Sequence, residues 1–198
     1  MRKSILLLLC SVFLLWSSNL FASPIEWSIS DGGNGHYYEA ILISGGISWQ
    51  NAKIESENLG GYLATISGQN ENNFIFSLIN SSQYWISNAY GPWLGGTDKD
   101  SEGNWQWLNN EGSFTYTAWE GGQPDDQYNP QYEDFLHYYS NTGPKATWND
   151  QYSGEPNRPD FINAYIVEFD SAPVVPEPTT ILLFGVGLIG IAGVSRKK

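Results

Sequence analysis

The chain has 198 residues, with 21 acidic side chains against 9 basic ones and a formal net charge of −12. That length is enough for one domain with a sizeable core, and that charge excludes nucleic acid and anionic membrane surfaces as partners. The only cysteine, Cys10, excludes a disulfide framework.

The first 22 residues read as an export signal. Arg2 and Lys3 form a charged start, residues 5–16 an apolar run, and Leu20-Phe21-Ala22 a small-residue cleavage site. The run is short for a membrane span. Cys10 lies inside it, so the mature protein is expected to carry no thiol. Removing both ends leaves Lys53, Lys99, Lys145 and Arg158 against the acids, a balance that favours cations and neutral ligands.

Residues 23–170 read as one domain without internal repeats. Ser48 is placed to cap a first helix, with Ala52, Ile54 or Glu55 and Leu59 following and Gly60-Gly61 ending it. Ser67 is placed to cap a second, in which Phe74, Ile75, Leu78 and Ile79 recur at helical spacing and face a core. After Tyr84 the pattern changes to short aromatic segments broken by Gly, Asn, Asp and Pro, which predict strands and long loops. Tryptophans 85, 93, 105, 107, 119 and 148 are assigned mostly to the interior rather than to a ligand-stacking surface. Trp105 and Trp107 flank Gln106 and so face one side of a strand.

The chemistry concentrates between residues 123 and 150. Gln123-Pro124-Asp125-Asp126 is followed by Glu133-Asp134 and then by Trp148-Asn149-Asp150. Carboxylate and amide oxygens of this kind suit calcium, a hard cation that takes six to eight oxygen ligands. A lone Gln-Pro-Asp would be an acidic solvated turn; three such elements in order point to a metal site. Catalysis is not expected, since His36 and His137 are the only histidines and no nucleophile or hydrolase motif accompanies them.

Residues 171–175 form a Ser/Pro/Val-rich linker. Beyond it, Pro176-Glu177-Pro178 precedes an apolar run over residues 179–194 and a basic end, Ser195-Arg196-Lys197-Lys198. The run is marginal for a bilayer of about 30 Å, and its basic end belongs on the cytoplasmic side. This arrangement resembles the PEP-CTERM sorting signal over residues 176–198. The resemblance implies a Gram-negative envelope, an exosortase-type processing enzyme, and a membrane contact through this segment before processing. Export to the cell surface or the medium follows.

The body resembles the C-type lectin domain. The likeness rests on Asn34-Gly35-His36-Tyr37-Tyr38, Ser48-Trp49-Gln50-Asn51-Ala52, Leu59-Gly60-Gly61-Tyr62-Leu63-Ala64-Thr65-Ile66 and Glu71-Asn72-Asn73-Phe74. It continues through Trp93-Leu94-Gly95-Gly96-Thr97-Asp98, Glu102-Gly103-Asn104-Trp105-Gln106-Trp107, Trp119, the Gln-Pro-Asp loop, Trp-Asn-Asp and Tyr165-Ile166-Val167-Glu168. It implies an α+β fold: two helices with short antiparallel strands and a long calcium-binding loop, here without disulfides.

By the same resemblance, Ca2+ is held at a principal site by Gln123, Asp125, Glu133, Asn149 and Asp150, with the Pro124 peptide cis. Glycan hydroxyls complete its shell. An auxiliary site takes Asp98, Glu102, Asp126 and Glu133, with Asp100 as a substitute. Gln-Pro-Asp goes with galactose-like sugars in the family, and the ligand is expected to be a glycan or exopolysaccharide. The family's sugar-stacking Trp is replaced by Gln127, leaving Tyr128 or Tyr132 to serve. The family's cysteines correspond to Ser56 with Val167 and to Phe135 with about Ser153. Glu155-Pro156-Asn157 has mannose-type letters in the wrong place and reads as a surface turn. The alternative function is a matrix or adhesion protein that uses this fold without binding sugar.

Overall fold

The computed structural model describes residues 23–108, 112–127, 133–153 and 162–173. The export signal, the turn at 155–157, the far end of the linker and the C-terminal segment lie outside them. No helix among the described residues is long and apolar enough to cross a membrane.

Strands β1 (Ile25–Glu26), β2 (Tyr37–Leu42) and β3 (Tyr62–Leu63) alternate with helices α1 (Trp49–Asn58) and α2 (Gln69–Leu78). Then come β4 (Tyr90–Thr97), β5 (Gln106–Trp107), β6 (Phe135–Tyr139), β7 (Trp148–Gln151) and β8 (Ala164–Phe169). The sheet runs β1-β2-β8-β4-β6-β7, with β3 on β8 and β5 on β4. Its pairings are antiparallel as expected, except that β4 meets β8 in parallel at Trp93 and Tyr165. Pairing β2 with β8 brings the two ends of the domain together and buries every residue of β8. At Gly95 a Cβ would stand 2.4 Å from the Leu63 carbonyl oxygen, so only glycine lets β4 approach that segment so closely.

Ser48 caps α1 as expected, accepting from the Asn51 N–H at 3.1 Å. The buried face of α1 is Trp49, Ala52 and Ser56, whereas Ile54 and Leu59 are exposed. Helical spacing accounts for this: positions 49, 52 and 56 share one face, and residue 54 lies about 200° round from 52. On α2 the cap position is Gly68, not Ser67. Ser67 stands just outside, where its N–H and Oγ both donate to Glu71 Oε2 at 2.6 Å. Ile75 and Ile79 are fully buried, and Phe74 and Leu78 pack against the same core.

Of the six tryptophans, 85, 93, 107 and 148 are buried, while 105 and 119 are half-buried against the core. Trp105 and Trp107 both pack on Phe114, at 5.9 and 4.6 Å between ring centroids. Asn72 of α2 ties this aromatic core together. Its Oδ1 accepts from Tyr138 and from Trp148 Nε1, and its Nδ2 donates to Tyr116 and to the Ala146 carbonyl. The two residue pairs that the resemblance aligns with family cysteines each share a neighbour. Ser56 and Val167 both adjoin Gly61, and Phe135 and Ser153 both contact Trp49.

Candidate metal and ligand site

Strand β7 forms one wall of the site and the loop before β6 forms the other. The loop is anchored to β7 by backbone bonds on both sides of Trp148: Trp148 N–H to Ala118 O, and Glu120 N–H to Trp148 O, each 2.8 Å. Beyond Glu120 the Gln123-Pro124 peptide is cis, and Asp126 adopts φ 47°. The loop's backbone N–H groups at 125 and 126 are directed at Asp150. That carboxylate accepts from Asp125 at 3.2 and 3.0 Å and from Asp126 at 3.0 Å. Glu133 is held likewise, accepting from Gln127 N–H at 2.9 Å while its own N–H donates to Asp126 Oδ1 at 3.3 Å.

Carboxylate oxygens of Asp125, Glu133 and Asp150 lie within 4.8 Å of one another. Glu133 and Asp150 are buried and Asp125 is exposed, so the group opens to solvent on one side. The two amides flank it in the chain. Gln123 Oε1 and Asn149 Oδ1 are buried and have no hydrogen-bond partner, a costly state for an acceptor unless something else satisfies it. Asn149 Nδ2 is engaged by the Asp150 carbonyl and lies 3.3 Å from His137 Nε2.

The electrostatics are those of a site that lacks positive charge. Burial first, then Asp150, Asp125 and Asp126, push the Glu133 carboxyl up to about 7 against the opposing Gln127 N–H. Asp150 is raised to about 6, chiefly by burial, with Asp125 adding to the shift and the loop N–H groups opposing it. His137 is driven down to about 3 by burial and so stays neutral behind the site. Carboxylates crowded this way resist ionisation until a cation joins them. An all-oxygen donor set with two orphaned buried amide oxygens fits calcium.

A second acidic group stands across Asp126. It consists of Asp98, Glu102 and Asp134, again with oxygens within 4.8 Å of one another. Asp98 is held by the Gly103 N–H at 2.9 Å, and its other oxygen is buried without a partner. Burial raises Asp98 and Asp134, and each is raised further by Asp126. Glu102 is raised to about 7 by desolvation, then by Asp98 and by Asp126. Asp134 thus stands where Glu133 was expected. Neighbouring residues of extended chain point to opposite sides, so Glu133 serves the first group and Asp134 the second. The adjacency of the two acids in sequence was the available signal. Asp100 pairs with Lys99 outside the group, Gln127 is exposed, and Tyr128 and Tyr132 lie outside the described residues.

A family model described as "Lectin C-type domain" matches residues 46–158, and one described as "PEP-CTERM protein-sorting motif" matches residues 174–197. The chain is 33% identical to a perlucin-like protein of Mytilus galloprovincialis over 105 residues, covering 53% of this chain and 62% of that one. It is 38% identical over 82 residues to the galactose-specific lectin nattectin of Thalassophryne nattereri, 41% of this chain and 48% of the relative. The chain therefore spans less than two thirds of either relative. Among solved structures, the cow C-type carbohydrate-recognition domain of CD23 superposes with a TM-score of 0.56 at 20% identity, over 75% of this chain and 93% of that one. With the family model matched over more than half its length and the α+β fold to accompany it, the chain belongs to the C-type lectin domain family and carries a PEP-CTERM sorting motif.

Proposed function

We propose that this protein is an exported, non-catalytic, calcium-dependent glycan-binding protein of the cell surface or envelope. The observation that carries the reading is the Asp125–Glu133–Asp150 carboxylate group, whose chain neighbours Gln123 and Asn149 each hold a buried amide oxygen without a partner. Gln123, Asp125, Glu133, Asn149 and Asp150 would hold the principal calcium, and Asp98, Glu102 and Asp134, with Asp126 adjoining, a second. The bound ion supplies a Lewis-acidic centre to which two sugar hydroxyls can attach. The chain's own groups do the rest: Asp150 fixes the loop, and the amides and carboxylates divide donors from acceptors around the ligand.

Sugar choice follows from that division. An amide at 123 and a carboxylate at 125 present one donor–acceptor order, and Glu with Asn would present the reverse. The order here goes with galactose-like ligands, and the likeness to a galactose-specific lectin supports it. A shallow site of this kind binds weakly, at about 1 mM or about 4 kcal/mol. Adhesion then depends on many copies displayed together on glycans or exopolysaccharide. The sorting motif supports export, handling by an exosortase-type enzyme in a Gram-negative envelope, and a membrane contact through residues 176–198 before processing.

The test is retention on galactose- and mannose-bearing surfaces, in calcium and in chelator. Wild type is expected on galactose in calcium alone, and the Gln123→Glu/Asp125→Asn double variant is expected to move toward mannose. Binding that ignores both calcium and the double change would favour a matrix protein that uses the fold without this site.

A further inference from the structure

The sorting motif begins at residue 174, with its Pro-Glu-Pro at 176–178, and the folded body comes up almost to it. Strand β8 is held by β2 on one side and by β4 and β3 on the other, with all its residues buried. Just beyond it, Asp170 accepts from the Tyr62 hydroxyl at 2.8 Å. No slack can be drawn from a strand fixed in this way. The six residues from Asp170 to Pro176 span at most about 20 Å. A folded domain of even 100 residues has a radius of gyration of about 13 Å. Any enzyme that grips residues 176–178 therefore stands against the end of the domain from which β8 emerges.

Strand register shows what that end presents. Glu26, Tyr37 and Phe169 form one row across β1, β2 and β8, and β3 runs antiparallel to β8 with Tyr62 opposite Glu168. The loop between β1 and β2 and the turn before β3 thus lie at the same end as Asp170. The loop brings exposed Ile29 there and the turn exposed Leu59. An open groove of about 440 Å3 runs between the turn and the chain after β8, lined by Leu59, Tyr62, Phe169, Asp170, Ala172 and Pro173. The exposed charged groups around it are acidic: Glu26, Asp31, Glu57 and Asp170. Glu57 pairs with Lys53 at 2.5 Å, whereas the other three have no ion-pair partner among the described residues.

We propose that this end is the docking face for the membrane-embedded enzyme that processes the sorting motif, and that the enzyme meets it with a basic rim around an apolar contact. This rests on the processing reading above. Two independent observations choose the occupant: the short span to the motif brings the enzyme to this face, and the unpaired acids select a partner of opposite charge. An acidic rim is repelled by anionic lipid head groups, so the bilayer surface is the poorer partner. Rim charges act mainly on encounter, while the groove supplies the contact that holds once the surfaces meet.

Conversion of the full-length chain to its processed form tests this, followed by pulse-chase in a Gram-negative host that carries an exosortase-type enzyme, with a strain lacking that enzyme as the blank. Glu26→Lys/Asp31→Lys reverses two exposed rim charges and is expected to slow conversion roughly tenfold, the scale on which such charges alter encounter. Leu59→Ser is expected to slow it as well. A third variant leaves the domain untouched: a Gly/Ser insertion of about twenty residues after Pro173, which lengthens the tether severalfold. An attractive face predicts no acceleration from the insertion, and a smaller effect of the lysine substitutions when the two changes are combined. Unchanged conversion in both substituted proteins, or faster conversion on insertion alone, would overturn the docking face. Faster conversion in the lysine variant would assign this end to anionic lipid and overturn the enzyme as its partner. Wild type that is exported yet stays full length beside the enzyme would overturn the processing reading as well.

Discussion

The Asp150 carboxylate receives the backbone N–H groups of Asp125 and Asp126, at 3.0 to 3.2 Å. One β7 side chain therefore shapes the loop and also supplies an oxygen to the acidic group. These two duties separate by mutation. Asp150→Asn keeps an oxygen to accept the loop N–H groups but loses the charge, so it is expected to hold most of the calcium-free stability and lose the response to calcium. Asp150→Ala loses both, and the calcium-free protein should fall by about 2 kcal/mol, the scale of hydrogen bonds to a charged group. Urea unfolding with and without calcium measures both effects.

Calcium itself should stabilise the wild type. A ligand bound only by the native state adds about 2.7 kcal/mol when present at about a hundred times its Kd. A thermal melt in millimolar calcium should therefore rise well above one in chelator, and the rise should shrink in Glu133→Gln. Identical melts would remove calcium from the site.

Much of the site was legible before the fold was known, because its residues fall in short local motifs. Asp125, Glu133 and Asp150 stand together, while the ligand roles of these three and of Gln123 and Asn149 are proposed. The exchange of Glu133 for Asp134 in the second acidic group was not legible, since motif spacing does not say to which side an extended residue points. His137 was dismissed as one of two isolated histidines; its place behind Asn149 depends on the β6–β7 register, which the sequence does not state. Ser67 was misplaced as a cap for a smaller reason, a shift of one position at the start of the helix. The buried polar residues of α2, Glu71 and Asn72, break the apolar pattern and are explained only by partners far away in the chain.

Glu71 and Glu168 supply the next prediction. Both are buried, and the Tyr38 hydroxyl lies 2.6 Å from Glu71 Oε1 and 3.1 Å from Glu168 Oε1. Tyr38→Phe would leave two buried carboxylates short of a shared donor and should cost roughly 2–3 kcal/mol. Tyr37→Phe loses only a 3.2 Å bond to exposed Glu26 and should stay within about 0.5 kcal/mol of wild type. Denaturant midpoints of the two variants make the comparison.

Glu39, on β2 and away from the acidic groups, gives a pH dependence. Burial raises its carboxyl from 4.5 to about 7. The folded state thus keeps a proton that the unfolded chain releases between those values. Its contribution to stability is full below about pH 4.5 and is lost as pH rises through about 7. In chelator, Glu39→Gln should flatten that part of the stability-versus-pH profile, and an unchanged slope would assign it to other groups.

The most direct measurement is a crystal structure of the protein grown in millimolar calcium. A calcium ion is expected with oxygens of Gln123, Asp125, Glu133, Asn149 and Asp150 at about 2.3–2.6 Å, and with the amide oxygens of Gln123 and Asn149 turned to it. No ion among those five residues, or an ion confined to Asp98, Glu102 and Asp134, would contradict a calcium-built ligand site.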